Sequence, residues 1–313
     1  MHLCQTKTIL WTLLAYLSGM GQVRPALAQE EKAVQTPGKT GSAPHQSEPG
    51  VQKVGHLVHP QLSECSGVVA SRQHPGILWT HSDGGGGRKQ TVFLYAVERT
   101  GRTVGVFSIS GHVEDWEDIA IDESNRLYIG DLGNNGKARR ELVVYRVDEP
   151  DPTSKVKNIQ IKDAWRLRFP EAPFDSESLF VWNGRGYIVS KVTNDERAQI
   201  YSFPLDVRKE PVVLELVATT KIESPVAGAD ISPDGKLLAF IAKSGAFVYR
   251  IDGDPARAGK GKPYQRRFKD SKAEGCTFVP DGLLVTAEDR EIFLFTDEPF
   301  LWKSQTSPTA STH

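Results

Sequence analysis

The feature that most constrains this chain is a repeat. Five segments share one outline: a carboxylate, an apolar strand, a turn, a second apolar strand and a charged loop. They open at Glu64 (SECSGVVAS, then ILWTHSD), Glu117 (WEDIAID, then RLYIGD), Glu177 (SESLFVW, then GYIVSK), near Val226 (VAGADISPDG, then LLAFIAK) and at Glu274 (EGCTFVPDG, then LLVTAE). The starts lie roughly 50 residues apart, the period of a propeller blade and not of a helical repeat. A third strand follows in every unit: VFLYAVE, LVVYRVD, AQIYSF, AFVYRI and EIFLF. A fourth follows in the first four: TVGVFSI, WRLRF, VVLELVA and YQRRF. Gly, Asn, Asp and Pro sit between the strands, as tight hairpins require. No helical period of useful length interrupts the block.

This pattern predicts an all-β, five-bladed propeller. A six-bladed ring is the alternative, because residues 158–169 are long enough to hold an extra strand. The fifth unit lacks a fourth strand, and an unused one, KVGHLVH at residues 53–59, stands at the other end of the chain. Pairing it with the fifth blade closes the ring and leaves no long exposed sheet edge.

The ends read differently from the block. Lys7 precedes an apolar run at residues 9–17, and Ala26, Leu27 and Ala28 end the segment in a small-x-small pattern. That predicts a signal peptide over residues 1–28, with an uncleaved anchor as the alternative; the apolar run is short for a membrane span. Residues 29–52 and 303–313 are polar and rich in Pro, Ser, Gly and Thr, which predicts a disordered linker and tail around a propeller domain at 53–302. A secreted or periplasmic protein is expected, with no membrane span after signal cleavage, and a monomer. The net charge of −1 argues against nucleic acid as a partner. Beyond the signal peptide stand two cysteines, Cys65 and Cys276, with no CxxC pair and so no structural zinc motif. Each follows the leading carboxylate of its unit, and the two units are ring neighbours. A disulfide across that seam and a pair of buried thiols are both compatible with the sequence.

Glu117 to Asp131, Glu177 to Lys191 and Glu274 to Glu288 each span fourteen residues. Such a span is strand, turn and antiparallel strand, so both marked residues return to one end of the hairpin. The first strand of each blade lines the channel. Glu64, Glu117, Glu177 and Glu274 are therefore expected to converge at one mouth, with Asp83, Asp131, Lys191, Lys243 and Glu288 in a wider ring around them. Four carboxylates in one narrow axis repel, and some take up protons unless a cation joins them. With oxygen donors only, and no His or Cys in register, the cofactor expected is Ca²⁺, held by the four Glu residues. In the fourth unit Ala227 or Gly228 offers only a carbonyl. The competing reading is that each Glu bonds backbone amides of the next blade.

The phrases SECSG, WEDIA, ESLFVW and EGCTF resemble the blade starts of the calcium-activated nucleotidases, the soluble apyrases. That resemblance implies five blades and a central Ca²⁺ held by Glu and Ser. The wider set, with ILWTHSD, YIGDLGNN followed by Arg139 and Arg140, DSES and GADISPDG, is similar to secreted bacterial propellers of unassigned, phytase- or esterase-like function. The fifth unit departs from that pattern in Ala273 and Cys276.

Cations share the expected face: Arg88, Arg139, Arg140, Lys191, Arg197 and Lys243. A Ca²⁺ ion ringed by them suits a small anionic, phosphate-bearing ligand. The catalytic set expected of a phosphoester hydrolase is Asp83 or Asp131 to orient water, with Arg88 and Lys191 to offset charge. Solvated loop ends are the plainer reading of Arg139 and Arg140. A non-catalytic platform that binds a protein or glycan is the alternative function. The GGGG run at residues 84–87 lacks GxxxxGK[ST] and opens no helix, so it is not a P-loop. His81 is placed to assist proton transfer or to fill a structural role. Ser66 lacks a GxSxG elbow. Trp79, Trp116 and Trp182 read as packing between blades.

Overall fold

Alternating apolar residues set the strands, and the hairpin turns set their order. The computed structural model describes residues 49–83, 89–192, 196–206, 210–268 and 272–302. Residues 1–48, 303–313, the 84–87 glycine run and Arg88 lie outside them, so the expected signal peptide, most of the linker and the tail do too. Strand β1 (Val51–His56) comes first and starts two residues inside the expected linker. Blade 1 is β2 (Cys65–Ala70), β3 (Ile77–Ser82), β4 (Lys89–Glu98) and β5 (Thr103–Val113). Blade 2 is β6 (Trp116–Ile121), β7 (Arg126–Asp131) and β8 (Glu141–Asp148), followed by β9 (Asn158–Ile159) and its fourth strand β10 (Asp163–Arg168). Blade 3 is β11 (Ser176–Trp182), β12 (Arg185–Ser190) and β13 (Gln199–Pro204), then β14 (Val212–Val213) and β15 (Glu215–Thr219). Blade 4 is β16 (Val226–Ile231), β17 (Leu237–Ala242), β18 (Gly245–Arg250) and β19 (Tyr264–Arg267). Blade 5 is β20 (Ala273–Val279), β21 (Gly282–Ala287) and β22 (Glu291–Phe295).

The molecule is a five-bladed β-propeller. β1 pairs antiparallel with β22 and supplies the fourth strand of the last blade, which closes the ring. The stretch at residues 158–169 builds no sixth blade. Its first part, β9, adds in parallel to the outer edge of blade 1, and β10 completes blade 2. β14 likewise adds in parallel to β10, so two connections each cover the edge of the preceding blade. Among the described residues the only helices are short 3-10 turns, and no helix is long and apolar enough to cross a membrane.

Five apolar clusters fill the five seams between blades. Trp79 and Trp116 are buried in the seam of blades 1 and 2, and Trp182 packs against the seam of blades 3 and 4, as expected of them. Cys65 lies in the seam of blades 5 and 1, and Cys276 in that of blades 4 and 5. Both thiols are free and buried.

The inner strands carry the feature that positions the site. In every blade the pairing of the first two strands slips once near its start: after Cys65, Trp116, Ser176, Val226 and Ala273. A bulge of this kind re-aims the extra residue and increases the local twist. The residue that follows each first pair is Ser66, Glu117, Glu177, Ala227 and Glu274, so these five occupy equivalent positions around the axis. Close approach of backbones requires Gly67 beside this ring, since a Cβ there would stand 2.7 Å from Asp118 Cα.

Candidate functional site

A recess of about 200 Å³ opens at the mouth where the inner strands begin. It is lined by Glu64, Cys65, Ser66, Asp83, Glu117, Glu177, Lys191, Lys243, Glu274 and Glu288. The four glutamates expected at the mouth thus do line one recess, but they are not equivalent. Glu117, Glu177 and Glu274 are buried at the bulge position, whereas Glu64 is an exposed residue of the rim. Glu64 lies two residues ahead of the ring, and the residue in register is Ser66, whose hydroxyl donates to the Glu117 carbonyl at 2.6 Å. Aligning SGVV, EDIA, ESLF, AGAD and EGCT as equivalent segments, with Gly or Ser second in all but EDIA, would have found this from sequence.

The outer ring needs one correction as well. Asp83, Lys191, Lys243 and Glu288 line the recess, and Asp131 does not. The backbone N–H groups of Asp83, Lys191, Lys243 and Glu288 each donate to the carbonyl one residue before the first strand. In blade 2 the residue making that bond is Leu132, which donates to Asp115. The fourteen-residue spacing to Asp131 is therefore one residue out of phase, and a one-residue slip turns a side chain to the other face of the pleat. Asp131 instead accepts the N–H of Asp115 at 2.8 Å and of Glu114 at 3.0 Å, and pairs with Arg139 at 2.9 Å. Arg139 is not a solvated loop end: its side chain is 12% exposed and also donates to the Gly133 carbonyl. Arg140 is exposed.

Two lysines neutralise part of the recess. Lys191 bonds Glu177 Oε1, and Lys243 reaches from blade 4 to Glu274 Oε1 in blade 5 at 2.7 Å. Glu177 Oε2 remains buried without a partner. Glu117 has the strongest imbalance. No hydrogen bond to its carboxylate is found among the described residues. Burial, then Glu177, Asp115, Asp83 and Asp175, push its carboxyl up to about 11. Asp115 is raised to about 6, by burial and then by Asp83, with Arg139 opposing. Glu274 is raised to about 7 by burial, against the pull of Lys243. Glu177 is also raised, because burial outweighs Lys191. Burial works to lower the Lys191 ammonium, and Glu177 more than offsets it, so Lys191 stays charged.

Gly133 sits where these acids crowd. A Cβ on it would stand 2.1 Å from Asp115 Oδ2 and 2.3 Å from Glu117 Oε1. The two oxygens thus face one point from different residues of blade 2. Sequence reasoning passed over Asp115 as a site residue, although it stands in the acidic run at residues 114–118.

Below the recess the channel is closed by carboxylates with structural work. Asp118, buried, accepts the N–H of Ile119 at 2.9 Å and of Leu179, in blade 3, at 2.8 Å. Asp230, in blade 4, accepts from Phe278 N–H at 2.8 Å and Thr277 Oγ1 at 2.9 Å, both in blade 5. The expectation of carboxylates bonding backbone amides of the next blade thus applies to these two aspartates and not to the glutamates. His81 is fully buried edge-on to Trp116, and burial lowers it to about 4, which leaves it neutral and structural.

No protein-family model matches the chain, and no curated protein matches it significantly. Solved structures do. A putative gluconolactonase aligns at 12% identity over 81% of this chain and 94% of its own, with a TM-score of 0.42. Virginiamycin B lyase from Staphylococcus aureus aligns at 12% identity over 77% of this chain and 69% of its own, with a TM-score of 0.41. A chain of a nidogen/laminin complex aligns at 11% identity over 72% and 73%, with a TM-score of 0.41.

Proposed function

We propose that the recess is a Ca²⁺ site and that the propeller uses it to bind, and to hydrolyse, small phosphoesters. The observation that carries this reading is Glu117: a carboxylate 6% exposed, with no hydrogen-bond partner among the described residues and other carboxylates around it. Such a group must hold a proton or a cation. The donor set fits a hard cation. Asp115 Oδ2 and Glu117 Oε1 face a common point beside Gly133, and Glu177 Oε2 is an orphaned acceptor nearby in the same acidic field. All are oxygens, which favours Ca²⁺ over softer metals. Among the described residues no three His, Cys, Asp or Glu side chains stand ready at metal-ligand spacing. Loading therefore requires the Glu117 and Glu177 side chains to turn toward the ion, and Ser66 and Glu64 complete the wall.

A bound Ca²⁺ would supply Lewis acidity and positive charge for a phosphate oxygen. The chain's own residues do the rest. Lys191 and Lys243 hold the anionic ligand at the rim, and Asp83 accepts a proton from the attacking water at its carboxylate. This is the reading to which the likeness of the blade starts to the soluble apyrases also leads. A second reading, a platform that binds its ligand without turnover, is favoured by one observation: Asp131 and Arg139 are tied to each other and do not reach the recess.

Two measurements decide. The mature protein is titrated with Ca²⁺ by calorimetry, and turnover of p-nitrophenyl phosphate, nucleotides and phytate is followed with and without chelator. Ca²⁺ binding lost in Glu117→Gln, with chelator-sensitive turnover lost in Asp83→Asn, supports the hydrolase. Ca²⁺ binding without turnover leaves the platform. A folded protein that binds no Ca²⁺ overturns the calcium site and the hydrolase with it.

A further inference from the structure

The opposite end of the channel has a different chemistry. The inner strands finish there, and a cavity of about 580 Å³ opens among residues of blades 1, 2, 4 and 5. Its floor and walls include Leu78, Ile121, Ile231, Val279 and Leu284, all buried. Trp302 forms one side and is fixed by its indole N–H donating to the Val279 carbonyl at 3.0 Å. The exposed residues Pro75, Gly76 and Asp281 form the rim, so the apolar interior is reached from solvent.

The charged groups are few: Arg72, Arg99, Asp230 and Asp281. Arg99 holds both carboxylate oxygens of Asp281 at the rim. Asp230 is saturated by Ile231 N–H, Phe278 N–H and Thr277 Oγ1. Arg72, half-buried, lines the same cavity; its charge acts on Asp230, whose carboxyl it pulls down, yet among the described residues its guanidinium makes no hydrogen bond and no ion pair. A guanidinium facing apolar walls is a poor arrangement for stability alone. It is a good one for recognition, because its planar fork matches a carboxylate and the walls take an apolar body.

We propose that this lower mouth is a second binding site, for a small amphipathic carboxylate whose apolar body fills the channel end and whose headgroup pairs with Arg72. The volume lies in the range that encloses a drug-sized molecule. The site is separate from the acidic recess: it uses the far ends of the inner strands and none of the same residues.

The test is calorimetric titration of the mature protein with decanoate and with decanol, in chelator so that the upper mouth plays no part. Decanoate is expected to bind with one-to-one stoichiometry, more tightly than decanol. Arg72→Gln is expected to weaken decanoate by about tenfold or more, since a hydrogen bond to a charged group is lost, and to leave decanol unchanged. Ile77→Trp, which fills the cavity from its edge, is expected to abolish both, with melting curves confirming that each variant is folded. Absence of decanoate binding to the folded protein overturns the proposal, and so does an affinity within twofold of wild type in Arg72→Gln.

Discussion

Replacing Glu117 by Gln should stabilise the cation-free protein, which few changes of a buried residue do. The carboxyl is raised from its ordinary 4.5 to about 11, chiefly by burial and then by Glu177. The sign follows from proton counts. Between those two values the folded state keeps the proton that the unfolded chain has lost, so stability falls as pH rises through the window. It is fully present below about pH 4.5 and lost at about 1.4 kcal/mol per pH unit above it. At pH 7 the loss amounts to about 3 kcal/mol, and at pH 9 to about 6 kcal/mol. Gln has the shape of the protonated acid and cannot ionise, so Glu117→Gln should recover about 3 kcal/mol at pH 7 in chelator and flatten the pH dependence. At about 2–4 °C per kcal/mol for a domain of this size, the midpoint should rise by roughly 6–12 °C. Calcium should reverse the order. At a thousandfold excess over Kd wild type gains about 4.1 kcal/mol, more than the variant's lead, and the variant gains nothing. Because loading expels the Glu117 proton, the apparent affinity of wild type should tighten about tenfold per pH unit near neutrality. Thermal melts of both proteins from about pH 5 to pH 9, in chelator and in Ca²⁺, provide the readout. A variant no more stable than wild type in chelator, or melting points that ignore Ca²⁺, would refute the reasoning.

Other expectations concern how the ring is held. Asp118→Ala strands the N–H groups of Ile119 and Leu179 and should cost about 3 kcal/mol in a denaturant titration. Gly67→Ala forces a Cβ to 2.7 Å from Asp118 Cα, and this overpacking should lower stability by about 2 kcal/mol or more, read by the same titration. Arg139→Ala leaves Asp131 buried without its cation and should cost about 3 kcal/mol, seen as a lower melting midpoint.

The fold was legible in sequence because its cause is local and repeated. The pleat makes apolar and polar residues alternate, turns need particular residues, and five copies of one pattern reinforce each other. Even the closing strand announced itself, since the last unit was one strand short and the first segment had a spare.

The site was legible only to within a residue or two. Counting fourteen residues singled out Asp131, yet the hairpin loop of blade 2 is longer than those of blades 3 and 5, where that count holds, and this shifts the phase, which decides the face. Glu64 and Ser66 exchange roles for the same reason. Arg139 looked like a loop cation because its partner, Asp131, could be placed only with the register known. The lower cavity had no signature at all. It is made where the ends of four separate strands and Trp302 meet, and Arg72 is notable only because, among the described residues, nothing in that space hydrogen-bonds its guanidinium. The chain's own pattern thus determined which strands exist and how they follow one another. Register and ring closure, which depend on contacts between distant segments, decided which side chains share a space and which of them are left without a partner.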